Sequence, residues 1–286
     1  MLWITGLVVA VGVLTAAALG LAAYGNAHWA ESTRTLLGRL EAARLPPTAS
    51  HYDARELEGL PAPVQRYFRA VLKDGQRLIT AATVEHTGTF NVSQTGEQWK
   101  PFKSQQRVVT RRPGFLWDAR MKLVPGLAVR VHDAYIGGEG MLRVAVLGLF
   151  AMADLNGPGD IAQGELMRFF AEAAWYPTAL LPSQGVRWEA VDDHSAKAIL
   201  VDGTLSLTML FSFNDAGLIE SAHVEARAAT VGQTIVMMPW EARVANYRER
   251  SGMRVPLTGE AAWLPPQGRR PYWRGTIASL AYEFSE

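Results

Sequence analysis

The sequence predicts a mainly β protein, of the α+β kind. Its body is a curved antiparallel half-barrel sheet covered by a helical insertion, and an N-terminal transmembrane helix precedes it. Three observations lead there. No Asp, Glu, Lys or Arg occurs before Glu31, and Leu2 to Tyr24 is apolar apart from Thr5, Thr15 and the glycines. From Ala81 onward the apolar residues alternate with polar ones, with a period of two. One stretch, Asp160 to Leu181, breaks that alternation with a helical pattern.

The N-terminal run is long enough to cross a bilayer, at about 1.5 Å per residue against a core of about 30 Å. A cleaved signal peptide is the other reading, and "ALGLAA" offers small residues for cleavage. Against it, no Lys or Arg stands in front of the run, which is longer than the usual apolar segment of about 7–15 residues. Trp3 and Trp29 stand where interface anchors belong. The expectation is a single-pass anchor. Arg34, Arg39 and Arg44 follow it, and by the positive-inside rule they would hold the body in the cytoplasm.

Glu31 to Arg44 has helical spacing, with Leu36, Leu37 and Leu40 against Arg34, Arg39, Glu41 and Arg44. The prolines of "LPPTAS" stop it. A second short helix is expected in "PAPVQRYFRAVL", where Val64, Tyr67, Phe68 and Val71 share one face. Both helices read as a stalk leading to the body. The expected division is an anchor over 1–30, a helical stalk or linker over 31–60, and a β body over 61–286.

In the body, "TVEHTGTFNV", "WKPFKSQQRVV", "FLWDARMKL", "LAVRVHDAYI" and "MLRVAVLGLF" are strand-like. After the helical stretch, strands resume from "VRWEAVD" to "TIASLAYEF", about a dozen in all. Asp202-Gly203 suits a two-residue loop and Asn214–Gly217 a four-residue one. No helix-length segment separates the late strands, which excludes parallel crossovers there.

Within the insertion, Asp160 and Gln163 have the spacing of a capping box. Glu165, Arg168 and Glu172 fall on one face and Leu166, Phe169, Phe170 and Ala173 on the other, so a solvated charged face is expected. Trp175, Tyr176 and the apolar run to Pro182 follow. An antiparallel sheet with one dry face needs a cover, and this element is the natural one.

The segments "LPAPVQRYFRAVL", "PGFLWDARM", "HDAYIGGEGMLRV", "GELMRFFAEAAWYPTALLP", "VRWEAVDDHSAKAIL", "MRVPLTGEAAWL" and "YWRGTIASLAYEF" together resemble an uncharacterised family of bacterial membrane-anchored proteins, a domain of unknown function, over roughly Leu60 to Tyr282. The family carries no established activity. At fold level the chain is also similar to periplasmic lipoprotein-carrier half-barrels. That likeness implies a bacterial inner-membrane protein with its body on the extracytoplasmic side, in conflict with the arginines.

Composition excludes several classes. With 28 basic and 27 acidic residues the net charge is +1, and no basic block speaks for nucleic acid. The absence of cysteine removes disulfides, thiolate catalysis and Cys-based zinc sites. The histidines show no helical pair for a metal. "HD" at His132–Asp133 and "DDHS" at Asp192–Ser195 read as turn or strand-surface residues before an acid–base pair. Ser183, His194 and Asp192 can be written as a triad, but no nucleophile elbow supports it. "IGGEG" at Ile136–Gly140 reads as a hairpin turn. No catalytic residue, metal or cofactor is therefore assigned.

The expected function is a membrane-tethered binding or carrier protein for a lipid or other apolar ligand. The ligand-binding candidates are Arg168, Phe169, Phe170, Glu172, Trp175, Tyr176 and Trp188, with Leu166–Leu181 as one wall of a cavity. Trp99, Trp117, Trp240, Trp263 and Trp273 are further candidates for its lining, or plain core. The alternatives are an envelope structural or assembly module that binds a protein partner, and a hydrolase acting on a membrane-derived substrate.

Overall fold

Every neighbouring pair of strands is antiparallel, and nearly every pair is consecutive in the chain. The computed structural model describes residues 2–93, 95–124, 127–231 and 234–286. Its first meander runs through β1 (Ile79–Asn91), β2 (Trp99–Val109), β3 (Gly114–Val124), β4 (Leu127–Ile136), β5 (Glu139–Val146) and β6 (Phe150–Gly157). The second runs through β7 (Arg187–Asp192), β8 (Ser195–Asp202), β9 (Leu205–Phe213), β10 (Ile219–Val231), β11 (Thr234–Arg250), β12 (Met253–Trp263) and β13 (Arg270–Phe284). β1 pairs with β13, which fuses the two meanders into one open, curved sheet with β6 and β7 as its edges.

Three helices accompany the sheet among the described residues: α1 (Leu2–Ala43), α2 (Ala62–Val71) and α3 (Asp160–Ala171). Short 3-10 turns at Glu172–Trp175, Pro177–Leu180 and Pro182–Gln184 continue α3 toward β7. α3 touches β3 to β6 from one meander and β9 and β10 from the other, so it fills the curve of the sheet.

Strand alternation sorts the apolar side chains onto two faces. Ala82, Val84, Val108, Phe115, Trp117 and Tyr135 point inward and join α2 and α3 in the main core. Ala81, Val109, Leu116, Ala134 and Ile136 point outward, where Leu36 and Leu40 of α1 cover them.

A polar cluster fixes α1 to that outer face. Trp29 Nε1 donates to Asp118 Oδ1 at 3.0 Å, and the Thr33 hydroxyl lies 3.0 Å from Asp118 Oδ2 and 2.8 Å from His132 Nε2. The Trp29 and His132 rings stack at 3.9 Å. Burial pushes His132 down to about 4, against the pull of Asp118.

Four local expectations need correction. The anchor and the helix expected at Glu31–Arg44 are one unbroken helix, because no proline intervenes before Pro46. Asp160 does not cap α3: Gly159 holds the N-cap position with φ 83°, and Asp160 is already helical, where its charge favours the helix dipole. The loop between β8 and β9 is Gly203-Thr204, since Asp202 pairs with Leu205. The charged face of α3 is not solvated, because the sheet curls around it: Glu165 is buried, and Arg168 and Glu172 are 14% and 13% exposed.

Candidate functional site

The inner face of the sheet beneath α3 holds polar residues at strand positions whose neighbours are apolar. In β1, Val84 is followed inward by His86 and Gly88, and in β2 Val108 is preceded inward by Gln106 and Ser104. β4 contributes Asp133 and β10 contributes Arg227. Five elements thus bring His86, Gln106, Asp133, Arg227 and the charged residues of α3 together.

Arg168 is the hub. Its Nη1 donates to Asp133 Oδ2 at 2.6 Å and its Nε to Glu172 Oε1 at 2.8 Å, while Gln106 Nε2 donates to Glu172 Oε2 at 2.6 Å. The guanidinium lies over the rings of Phe115 and Trp117, 4.9 Å from each centroid. Burial opposes its charge, but Glu172, Asp133 and Glu165 outweigh that and hold it firmly protonated.

Glu165 behaves differently. Burial first, and then the charge of Asp133, push its carboxyl well above the usual range. Asp133 Oδ1 and Glu165 Oε2 are each buried without a hydrogen-bond donor when both groups are ionised. A proton on Glu165 resolves this, since a protonated carboxyl donates and Asp133 accepts. Arg227 Nη2 stands 3.6 Å from Glu165 Oε1, with its guanidinium 4.6 Å above the Trp240 ring.

An aromatic wall adjoins this seam. Trp117 meets Phe102 at 5.6 Å, Phe102 stacks on Trp273 at 5.9 Å, and Trp175 lies 6.3 Å from Trp273. His86 sits 5.0 Å from Trp175, and burial, with the Arg168 charge, pushes it down to about 3. A row of glycines makes room. Gly88 pairs with Gly275, and Gly275 with Gly259. A Cβ at Gly275 would overlap the edge of the Trp273 ring, and one at Gly259 would stand 3.4 Å from Trp175.

The seven residues expected from the sequence divide between two sides of the plug. Arg168, Glu172 and Trp175 join the polar seam and its wall. Phe170 and Trp188 pack instead on Phe211, at 5.5 and 5.4 Å. Phe169 and Tyr176 hold the plug together, the Tyr176 hydroxyl donating to the Phe169 carbonyl at 2.6 Å. Trp188 Nε1 donates to the Leu180 carbonyl at 3.0 Å. All five of these aromatics are buried.

Sequence reasoning gave His86, Gln106 and Arg227 no place in a binding site, and it set Asp133 aside as a turn or strand-surface residue, whereas its side chain is only 15% exposed and pairs with Arg168. A signal for the first two existed: a polar residue in phase with the apolar side of its strand. Four N–H or ring-nitrogen groups of this interior have no hydrogen-bond partner among the described residues, namely His86 Nε2, Trp117 Nε1, Trp175 Nε1 and Arg227 Nη1. Each is buried, so each lacks water from bulk solvent as well.

The other constellations come apart. His132 and Asp133 are adjacent on β4 and face opposite sides, His132 to α1 and Asp133 to Arg168. The Asp192 carboxylate accepts from the His194 backbone N–H at 2.8 Å, a turn interaction, and the Ser183 backbone N–H is held by Glu56 at 3.0 Å. Gly137 and Gly138 form the hairpin turn, at φ 64° and 95°. Among the described residues no three His, Asp or Glu side chains gather as a metal-ligand set. Two open surface clefts lie elsewhere, around Arg44, Ser50 and Arg77 and around Tyr52 and Asp74.

The model of a family of unknown function, DUF6920, matches residues 58–282, close to the span on which the sequence resemblance rests. No curated protein matches the chain. Among solved structures, a LolA superfamily protein from Nitrosomonas europaea is similar at 10% identity, over 79% of this chain and 94% of that one, with a TM-score of 0.38. A β-barrel-like protein of another domain of unknown function, DUF1849, from Brucella abortus is similar at 10% identity, over 72% of this chain and 99% of its own, with a TM-score of 0.23.

Proposed function

The chain belongs to DUF6920, a family of unknown function, and on that premise we propose that it is a membrane-tethered binding or carrier protein for a lipid or other apolar ligand. The observation that carries this reading is the set of buried, unpartnered groups at His86, Trp117, Trp175 and Arg227. Each unmade hydrogen bond of this kind costs about 1–3 kcal/mol. Trp and Arg nitrogens only donate, and a neutral His86 can present Nε2 as a donor too. Their natural partner is a group rich in acceptors and poor in donors. Ester carbonyls and phosphate oxygens fit that description, and acyl chains suit the aromatic wall beside them.

In this reading the structure is the closed form. The segment from Leu166 to Leu181, with Arg168, Phe169, Phe170, Glu172, Trp175 and Tyr176, is a plug that a ligand displaces, and Trp188 lines the space it leaves. The plug suits that role because three short 3-10 turns follow α3, and such turns carry few backbone bonds of their own. The long helix supports tethering, since it is apolar enough to cross a membrane and Trp3 to Leu21 are exposed throughout. The proposal divides the chain into an anchor over 1–30, a stalk over 31–60 and a body over 61–286. It places the anchor in a bacterial inner membrane and the body on the extracytoplasmic side.

Native mass spectrometry of the full chain, with lipid extraction from the same sample, tests the proposal. The expected result is one lipid per chain, retained several-fold less well after Trp175→Phe or Trp117→Phe, which remove an N–H worth about 1 kcal/mol and leave a smaller aromatic ring in place of the indole. A bare mass after incubation with phosphatidylethanolamine and phosphatidylglycerol vesicles would overturn it. One observation favours a second reading, an envelope module that binds a protein partner. Tyr176, Leu180 and Leu181 are fully buried, as in a permanent core. The bare mass would support that reading.

A further inference from the structure

Turns are ordinarily polar, and on one rim of this sheet the β1–β2 and β12–β13 turns carry Glu97 and Arg269, yet three other sequences of that rim carry no charge. From Val144 to Ala153, around the β5–β6 turn, there is no Asp, Glu, Lys, Arg or His. The same holds from Ala228 to Trp240, around the β10–β11 turn, and the sequence Leu123–Val129 that joins β3 to β4 is also uncharged. Large apolar side chains stand exposed there: Phe150 at 57%, Met152 at 63%, Ile235 at 62% and Met237 at 53%.

Strand register puts the strand ends that flank these sequences on the same rim. Phe90 pairs with Trp273, Arg270 with Trp263, and Trp263 with Trp240, so the ends of β1, β13, β12 and the early part of β11 lie level. Beyond Trp240 only β10 accompanies β11, out to the pair Val231–Thr234. That two-stranded ribbon projects past β12 by about 15–20 Å, at about 3.3 Å per residue, with Ile235 and Met237 on it. On the first meander, the Leu147 N–H donates to the Ala128 carbonyl, which sets the β5–β6 turn beside the start of β4.

α1 leaves the sheet at this rim. Gly25 lies so close to the Leu147 carbonyl that no Cβ would fit between them, and Arg130 donates to Asn26 Oδ1 at 2.6 Å. Before that contact, from Trp3 to Leu21, every residue of the helix is exposed. The opposite rim is different. Its turns contain Arg111 and Arg112, the glycine pair before Glu139, Asp215, and Ser251-Gly252 between Arg250 and Arg254.

We propose that this rim lies in the membrane surface, with Phe150, Met152, Ile235 and Met237 inserted among the lipids beside α1. The occupant is a lipid bilayer because the apolar side chains continue the exposed apolar surface of the helix that leaves at the same edge. The sheet is then held upright at two places, the helix contact at Gly25 and the projecting β10–β11 ribbon. Its inner face opens toward the lipid. This inference rests on the reading of Leu2–Tyr24 as a membrane span.

The chain has no cysteine, so a single introduced one reports its own surroundings. The full chain is reconstituted in vesicles of phosphatidylethanolamine and phosphatidylglycerol that carry a nitroxide on the acyl chain near the headgroup. A bimane label is placed in turn at Phe150→Cys, Ile235→Cys and Asp215→Cys, and at Val13→Cys with a nitroxide deep in the acyl chain. Labels at 150 and 235 are expected to lose roughly half or more of their fluorescence, as for side chains buried in the headgroup–acyl boundary, and the label at 215 none. Quenching at 13 without quenching at 150 and 235 overturns the rim proposal and leaves the span intact. Absence of quenching at all four positions overturns both. Labels at 150 and 235 that are shielded from solvent but untouched by lipid nitroxides mean that a protein partner or a second copy covers the rim, which also overturns the proposal.

Discussion

Arg168 Nη1 donates to Asp133 Oδ2 at 2.6 Å, and this contact ties the plug to the wall of the sheet. Both side chains are nearly buried, at 14% and 15% exposure, and Arg168 answers Glu172 as well. A buried pair adds little over an apolar replacement, yet removing one partner strands the other's charge. Arg168→Met should therefore cost about 3–5 kcal/mol, read as a lower urea midpoint of the solubilised chain. The triple change Arg168→Met, Asp133→Asn, Glu172→Gln should recover a large part of that loss. A single variant that unfolds no earlier than the parent would show that the seam bears no such charge balance.

Acid should loosen the fold through its buried histidines. His86 is pushed down to about 3 and His132 to about 4, both by burial, from an unfolded value near 6.5. The unfolded chain then binds more protons than the folded one below pH 6.5, so stability falls as pH drops, by roughly 1.4 kcal/mol per pH unit for each histidine. Glu165 has the opposite sign. Its raised value means that its contribution is whole below the unfolded carboxylate range and is lost as pH rises through the folded value. Urea midpoints measured from pH 4.5 to 8 should show a gentler acid slope in His86→Phe. Glu165→Gln should remove the loss on the alkaline side. An unchanged acid slope in His86→Phe would place the acid sensitivity elsewhere.

The strands, the turns at Ile136–Gly140 and Asn214–Gly217 and the long apolar helix are legible because local chemistry decides them. Period two, paired glycines and an uncharged run need no tertiary partner. The charged row Glu165, Arg168 and Glu172 is misleading for the converse reason. Helical spacing shows that three charges share a face, but only the curl of the sheet puts Asp133, Gln106 and Arg227 against it. The polar seam is assembled from residues up to 141 positions apart, His86 to Arg227, and no spacing rule reaches that far. Trp29 is a second case. It stands where an interface anchor belongs, and in the fold its indole N–H is committed to Asp118.

Within the glycine row, Gly275 should be intolerant of a side chain for a reason specific to Trp273, whereas a Cβ at Gly88 would meet the Arg274 backbone carbonyl. Gly88, Gly275 and Gly259 sit side by side on β1, β13 and β12, and the Trp273 ring covers Gly275. Gly275→Ala should displace that ring and destabilise the body, whereas Trp273→Leu frees the space. The double variant should then lose less than the two single losses added, with a coupling of about 0.5–3 kcal/mol in a denaturation cycle. Additive losses would mean that the glycine serves the backbone and not the ring.

A last contact joins the two meanders at a second place. The Tyr135 hydroxyl on β4 donates to Asp202 Oδ2 at 2.6 Å, and Arg112 Nε donates to Asp202 Oδ1 at 2.7 Å. Asp202 ends β8 and is only 6% exposed, so these two donors are what its carboxylate oxygens have in place of water. Burial first, and then the Asp202 carboxylate, push the Tyr135 phenol above its ordinary range, so it stays a donor at any physiological pH. Tyr135→Phe keeps the ring and deletes the donor, and should cost about 1.5–3 kcal/mol, as for a hydrogen bond to a charged group. If the curve of the sheet must widen to admit a ligand, the same variant should also take up a fluorescent acyl probe several-fold faster, since a loss of about 1.4 kcal/mol is tenfold in an opening equilibrium. Lower stability with unchanged uptake would make the contact a structural clasp alone. Lower stability with faster uptake would make Tyr135 and Asp202 the latch that keeps the interior closed.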